Sequence, residues 1–432
     1  MDDTASGARS VTRVIRKPRQ QPPMTTTIKD SVHDHIEVTG VVAALLDTPP
    51  LQRLRNVAQL GTVSLVYPSA NHTRFEHSLG VYHLADRALD HLGITGQRAT
   101  RVRAAAILHD IGHGPFSHNV EDVIERHTGN RHDDVHDLVA SGQVASVLAD
   151  HDIQPAEIAA LVAGDGEPLA QLVAGELDVD RMDYLVRDAH HTGVPYGTID
   201  HGRLIRGLTF IDGDLVLGAG NVQSAESLLL ARALMNPTVY SHHVARISKS
   251  MLRRAAETLL ATTDVTAPAL RRMDDHDLVA ALRAHDATSR VAARLFERDL
   301  YKRAVWAELG DVDDDLVGAD HDTVRGFERA IAADAGVPER DVIVDAPSEP
   351  SMPESSTGVL VNGEVRRLHE QSTLVTALQT AQREQWRLGV YTPRAHTDVV
   401  GRATERVLGL DPDDGLVTEV NAPDDSPPGF SE

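Results

Sequence analysis

Cysteine is absent from the 432-residue chain, which excludes disulfides and thiolate metal sites. No apolar run approaches the roughly 20 residues that a membrane span needs, and no charged-apolar-small leader opens the chain, so the expected setting is soluble and cytoplasmic. Lysine is nearly missing, at positions 17, 29, 249 and 302 only, and arginine carries almost all the positive charge. Acidic residues outnumber basic ones by 64 to 42, a formal net charge of -22. Such a surface repels nucleic acid and favours solubility, and a phosphate-bearing ligand must be met by a local basic pocket. Heavy acidity with scarce lysine resembles proteins of salt-loving microbes; an ordinary acidic protein is the alternative. Hydrophobic residues, at 41%, suffice for a sizeable core, and the length suggests about two or three domains.

Residues 1–27 read as a disordered arm, rich in Arg, Ser, Thr and Pro, with Met24 a candidate start. From Ile28 to about position 265 apolar residues recur mostly at helical spacing, in Leu51 to Leu60, Glu76 to Leu92, Arg101 to His109, Asn119 to His127, Val135 to Ala149 and Ala225 to Leu260. Leu79, Leu84, Ala88 and Leu92 give one helix a buried stripe, and Val102, Ala105, Ala106 and Leu108 carry the next to His109. Strand signals in this half are Leu65-Val66-Tyr67 and a hairpin over Leu208 to Leu217, turning at Asp212-Gly213. Residues 266–411 read as a smaller α+β region, a candidate for oligomer contacts or regulation. It has helices near Ala280 to Leu300 and Asp322 to Ala335, strands at Val342 to Val344 and Val359 to Val361, and a Pro/Ser-rich loop from Ala346 to Thr357. Residues 412–432 read as a disordered acidic tail. The fold class expected is mainly α.

The chemistry concentrates in His109-Asp110-Ile111-Gly112-His113-Gly114-Pro115-Phe116-Ser117-His118, with His77 upstream in Arg74-Phe75-Glu76-His77. Imidazole nitrogens and carboxylate oxygens together suit Mn, Fe or Zn, and a mixed donor set leaves positions open for water and substrate. His77, His109, Asp110 and one later carboxylate would be enough; Asp180 is the most plausible. On a helix, Asp180, Arg181, Tyr184 and Asp188 share one broad face. Taken alone, His109-Asp110 is more commonly a capped helix end, Arg232 a solvated helix residue and Tyr240 core packing. His190 and His191 are assigned to the end of the Asp180 helix rather than to the donor set. Asp311 to Asp315 lacks the glycine of a calcium loop, and Gly218-Ala219-Gly220 lacks the third glycine of a dinucleotide fingerprint.

In order along the chain, Arg74-Phe75-Glu76-His77, His109-Asp110 and Asp180 resemble the HD-domain metal-dependent phosphohydrolases. Gln59-Leu60-Gly61, Gly112 to His118 and Asp178 to His191 extend the resemblance to the deoxynucleoside triphosphate triphosphohydrolases, the branch holding bacterial dGTP triphosphohydrolases and the vertebrate SAM-and-HD-domain enzyme. It covers roughly positions 28 to 260. The resemblance implies an HD-domain helical bundle over 28–265. It implies a divalent ion, Mn, Fe, Zn or Mg, held by His77, His109, Asp110 and Asp180, and metal-activated water attacking the α-phosphate to give a deoxynucleoside and triphosphate. It further implies that His118 and Glu121 act at the leaving oxygen, and that His113 and His132 face the phosphates. Arg74, Arg181 and Arg232 would bind phosphate, Tyr184 would line the substrate site, Gln59 and Asp188 would hold the sugar 3′-hydroxyl, and Leu60 with Tyr240 would exclude a 2′-hydroxyl. A homo-oligomer and a nucleotide activator are implied as well. The alternatives are another HD phosphohydrolase, a nucleotidase or phosphodiesterase, and a nucleotide-binding regulator with a structural metal. His118 and Glu121 count against the last, since a binding module needs no leaving-group acid.

Overall fold

A computed structural model of the chain describes residues 25–410. The expected disordered arm, up to position 24, and the expected acidic tail lie outside the described residues. The first described element is a hairpin: β1 (Thr26–Asp30) pairs antiparallel with β2 (Asp34–Val38), setting Ile28 opposite Ile36. Thr26 and Thr27, assigned to the arm by sequence, are therefore paired strand residues. Ile36 and Val38 are fully buried and flank exposed Glu37, a period of two that helical spacing does not produce.

Helix α1 (Arg74–Leu92) begins where the backbone N–H of Thr73 donates to the Glu76 carboxylate at 2.7 Å, and it stops at Gly93, whose φ of 67° suits glycine. It buries Leu79, Leu84 and Ala88, and packs on α2 (Gly96–Leu108), whose last turn leads to His109. The short α3 (Glu121–Thr128) follows the motif loop. Helix α4 (Val179–Thr192) is capped by Asp178, which accepts the Arg181 N–H at 2.8 Å. Gly80 lets α1 and α4 approach closely: a Cβ there would lie 1.8 Å from an Asp183 carboxylate oxygen.

The hairpin of β3 (Leu208–Ile211) and β4 (Asp214–Leu217) stands as expected. The single long helix expected from Ala225 to Leu260 is two, α5 (Val222–Met235) and α6 (His243–Thr262). Pro237 cannot donate to the helical ladder, and the chain widens into a π turn over Asn236–Tyr240. Other long segments are likewise broken. Leu51 to Leu60 is helical only over Pro49–Arg53 and a 3₁₀ turn at Leu54–Asn56. Val135 to Ala149 divides at Ser141 and Gly142 into His136–Val139 and Gly142–Asp150. Ala280 to Leu300 falls into Asp275–Ala284 and Asp286–Phe296. Leu65 to Tyr67, expected as a strand, ends a 3₁₀ turn over Gly61–Leu65 that Gly61 opens with φ 56°.

The remaining chain supplies β5 (Lys302–Glu308), α7 (His321–Ala335), β6 (Ile343–Asp345), β7 (Gly358–Val361), β8 (Glu364–Arg367), α8 (Thr373–Glu384), β9 (Arg387–Thr392) and α9 (Thr397–Leu408). Strands β5, β9 and β6 form one antiparallel sheet in that order, covered by α7 and α9 around Val305, Ile331, Leu388, Val390 and Val400. The hairpin β7–β8 joins β3–β4 in a second sheet, with β7 parallel to β4. Met352, Val359 and Leu368 accordingly belong to the same apolar core as α1, α2 and α4. The molecule is mainly helical, and its C-terminal region carries most of the sheet.

Candidate active site

His77 projects from the first turn of α1, His109 from the end of α2, and Asp180 from the first turn of α4. The two Nε2 atoms lie 3.4 Å apart, and Asp180 Oδ1 lies 2.8 Å from that of His77 and 3.9 Å from that of His109. Each imidazole has committed its other nitrogen: His77 Nδ1 sits 2.8 Å from Asp183 Oδ2, and His109 Nδ1 lies 2.8 Å from the Ala106 carbonyl. These partners fix both rings with Nε2 directed at one point, the arrangement that metal-binding histidines require. One divalent ion could touch all three donors, so the residues fit the group. Burial pushes the His77 imidazole down, but the carboxylates of Asp180, Asp183 and Asp110 outweigh it and raise its pKa to about 10. The cluster thus concentrates negative charge, which suits a dication.

Asp110 is beside this cluster, with Oδ1 3.4 Å from His109 Nε2 and Oδ2 3.8 Å from His77 Nε2. It is chelated by Arg74, whose Nη1 donates to its two oxygens at 3.0 and 2.9 Å. Burial raises the Asp110 carboxyl, but Arg74, His109 and His113 hold it well below the usual carboxylate range. Arg74 was expected to meet phosphate. It is buried beside Asp110, which neutralises it, and it donates through Nε to Ser117 Oγ at 2.9 Å. Phe116 and Ser117 both hold positive φ, 55° and 56°, a strained turn of the kind that recurs at functional sites.

His113, His118 and His132 form a second cluster. His113 stacks on His132 with centroids 4.2 Å apart, and His118 meets both edge-on. Glu121 joins the last two, accepting from His118 Nδ1 at 2.6 Å and pairing with His132 Nδ1. Burial raises the Glu121 carboxyl, but those two imidazoles bring it far below its ordinary range. Burial, Arg74 and His132 push the His113 imidazole well below its ordinary value against the pull of Asp110, so it is neutral; its Nε2 lies 3.3 Å from Asp110 Oδ1, and its Nδ1 has no hydrogen bond among the described residues.

Of the residues expected to meet the sugar, Asp188 and Tyr240 are brought into contact. Asp188 accepts from His72 Nε2 at 2.7 Å and from the Tyr240 hydroxyl at 2.9 Å, and the Tyr184 and Tyr240 rings meet edge-on at 6.1 Å. Gln59 is buried with Oε1 unpaired, while Leu60 packs half-buried against the core. His191 stacks on His72 at 4.4 Å, outside the donor cluster. Arg181 and Arg232 come close together, but each donates to Glu354.

Sequence reasoning missed the support of this site. Asp183 also accepts from His33 Nε2 at 2.6 Å and from Arg187 Nε at 2.8 Å, and Arg187 reaches Asp30 Oδ2 at 2.9 Å, tying the β1–β2 hairpin to the histidine. Asp183 and Arg187 stand four apart on α4, a helical spacing that could have drawn notice; His33 and Asp30 carried no such signal. The basic pocket that the acidic composition called for has a counterpart elsewhere: a cleft of about 760 Å³ between α6 and the β5–β9–β6 sheet, lined by Arg246, Lys249, Arg253 and Arg254.

The HD domain family matches residues 74–188 and the HD associated region matches residues 199–419. An uncharacterised protein of Methanocaldococcus jannaschii is 32% identical over 85% of this chain and 79% of its own length. The deoxynucleoside triphosphate triphosphohydrolase SAMHD1 homolog of Dictyostelium discoideum is 32% identical over 53% of this chain and 48% of its own, and human SAMHD1 is 30% identical over 53% and 44%. The aligned part thus spans about half the length of those two relatives. Among solved structures, a hypothetical protein from Aquifex aeolicus superposes with a TM-score of 0.73 at 28% identity, covering 88% of this chain and 100% of that one. A phosphohydrolase from Bacteroides thetaiotaomicron gives 0.68 at 26% identity, covering 85% and 99%.

Proposed function

The chain belongs to the HD-domain phosphohydrolases, with the HD associated region that follows the domain, and we propose that it hydrolyses deoxynucleoside triphosphates to deoxynucleoside and triphosphate. The observation that carries this reading is the convergence of His77, His109 and Asp180 beside a separate His118–Glu121 pair. A divalent ion held by His77, His109, Asp180 and Asp110 would supply Lewis-acid activation of the attacking water. The dNTP substrate comes from the relatives named as dNTP triphosphohydrolases.

Burial lowers the His118 imidazole and the Glu121 carboxylate on Nδ1 opposes it; in this reading the imidazolium that Glu121 stabilises gives the proton on its opposite nitrogen to the 5′-oxygen as the bond from the α-phosphorus breaks. Half of the His118 side chain is exposed, so it can reach a substrate. Neutral His113, whose Nδ1 is unpaired among the described residues, and His132 offer hydrogen bonds to the α-phosphate. Arg181 and Arg232 take the outer phosphates. The unpaired Oε1 of Gln59 accepts from the 3′-hydroxyl, and Leu60 with Tyr240 limits room at the 2′ position. Asp188 already accepts from His72 and Tyr240, so its part in this reading is to fix the Tyr240 ring. Homo-oligomer formation and nucleotide activation belong to the same proposal.

One observation favours a second reading, a nucleotidase or phosphodiesterase of the same family: Arg74, Arg181 and Arg232 each have a carboxylate partner, which suits a less charged phosphoester. Incubation at high salt with Mn or Mg and each dNTP, NTP, nucleoside monophosphate and cyclic nucleotide, with products resolved by ion-exchange chromatography, separates the two. Deoxynucleoside plus triphosphate is expected; orthophosphate or an opened cyclic monophosphate supports the second. Activity only in nucleotide mixtures identifies an activator requirement.

A further inference from the structure

Glu354 sits on the Pro353–Ser356 turn, 173 residues along the chain from Arg181 and 122 from Arg232, yet its carboxylate joins them. Oε1 accepts from Arg181 Nε at 2.7 Å, and Oε2 accepts from Arg232 Nη1 at 2.5 Å. The Glu354 side chain has no exposed surface, whereas those of Arg181 and Arg232 are 20% and 28% exposed. The carboxylate therefore lies beneath two guanidiniums that face outward. Arg181 also spends Nη1 on the Gly175 carbonyl, at 2.7 Å, and on Asp178. Its Nη2, and the Nε and Nη2 of Arg232, have no partner among the described residues.

Two guanidiniums brought side by side repel each other. A carboxylate that takes one N–H from each removes that repulsion and fixes both planes, leaving their other N–H groups for a second anion. We infer that Glu354 is a positioning residue, holding Arg181 and Arg232 as one clamp for the outer phosphates of the substrate. This rests on the reading of those arginines as polyphosphate ligands. The turn is built to hold that position. Gln379 Nε2, from α8, donates to Ser355 Oγ at 2.9 Å; His369 Nδ1 lies 2.9 Å from the Ser355 carbonyl; and Thr357 Oγ1 donates to the Glu354 carbonyl at 2.8 Å. The Pro/Ser-rich loop thus completes the site from the far end of the sequence, and the C-terminal region is a working part of it.

The test compares the full-length protein with Glu354→Gln, Glu354→Asp and Gln379→Ala, measuring affinity for inorganic tripolyphosphate and orthophosphate by calorimetry, together with bound metal and dNTP kinetics. Glu354→Gln should weaken tripolyphosphate binding about tenfold or more and orthophosphate binding less, with metal content unchanged. KM for a dNTP should rise in step while kcat at saturation stays within about twofold. Glu354→Asp, which keeps the charge, should fall between the two, and Gln379→Ala should lose a few-fold by loosening the turn. If Glu354→Gln does not fold, Gln379→Ala carries the comparison. Unchanged affinity overturns the inference, as does failure of the wild type to bind tripolyphosphate. Tighter binding by Glu354→Gln also overturns it, because the carboxylate would then be competing with the phosphates. A wild type that binds tripolyphosphate but turns over no dNTP removes the proposed substrate, and the binding comparison still decides the clamp.

Discussion

His77 and His109 are fixed by the helices that carry the metal-site donors, while Arg181 and Arg232 share a carboxylate from outside those helices. The Ala106 carbonyl, three residues from His109 on the same helix, holds one imidazole, and Asp183, one helical turn beyond Asp180, holds the other. The two guanidiniums share instead a carboxylate that arrives from position 354, with Arg181 held in addition by Asp178 and the Gly175 carbonyl. Donors for a small ion need placement within a fraction of an ångström, and adjacent helical turns supply it. An anion clamp has to be charge-balanced as well as placed, and the acidic group that balances it can come from any segment that packs there.

The largest expected break is on the donor side. His109→Ala or Asp110→Ala should abolish bound metal and turnover together while circular dichroism stays helical; full metal content in His109→Ala would remove that histidine from the donor set. Next, His118→Ala should keep its metal and lose about 10²- to 10⁴-fold in rate. Retention of the wild-type rate would exclude His118 as the leaving-group acid. Smaller still, Asp183→Asn should weaken metal affinity about 10- to 100-fold by freeing the His77 ring, read by competition with a chelator.

The smallest effect concerns the frame. Asp275 accepts the backbone N–H groups of Ala58 and Phe116 at 2.9 and 2.5 Å, stapling the loops that carry Gln59 and Ser117. Burial, aided by Asp274 and opposed by those two N–H groups, pushes its pKa from 3.8 up to about 6. The fold therefore favours its protonated form, and the associated stability is present below about pH 4 and lost as pH rises through 6. The melting temperature should fall across that window, and less so in Asp275→Asn; equal slopes would show that Asp275 does not contribute.

The contrast also explains what could be read from the chain before its fold was known. Thr73 with Glu76, Asp178 with Arg181 and the apolar stripe of α1 are local patterns, so the helices bearing His77, His109 and Asp180 were legible, and mainly helical architecture with them. The β1–β2 hairpin, β5 and β9 went unread because short strands show their alternation over only a few residues. Pro237 marked the α5–α6 break, and the helical pattern on either side hid it. Glu354 lay in a loop whose composition promised nothing, and no rule of spacing links it to Arg232. The pairing of buried Arg74 with Asp110 went unread because burial is a property of the packed core alone.

The most direct measurement is a single turnover of a dNTP in ¹⁸O-labelled water, with both products analysed by mass spectrometry. Attack at the α-phosphorus predicts one label in the triphosphate and none in the deoxynucleoside. Label in the deoxynucleoside, or its appearance in orthophosphate as the first product, would contradict the proposed chemistry.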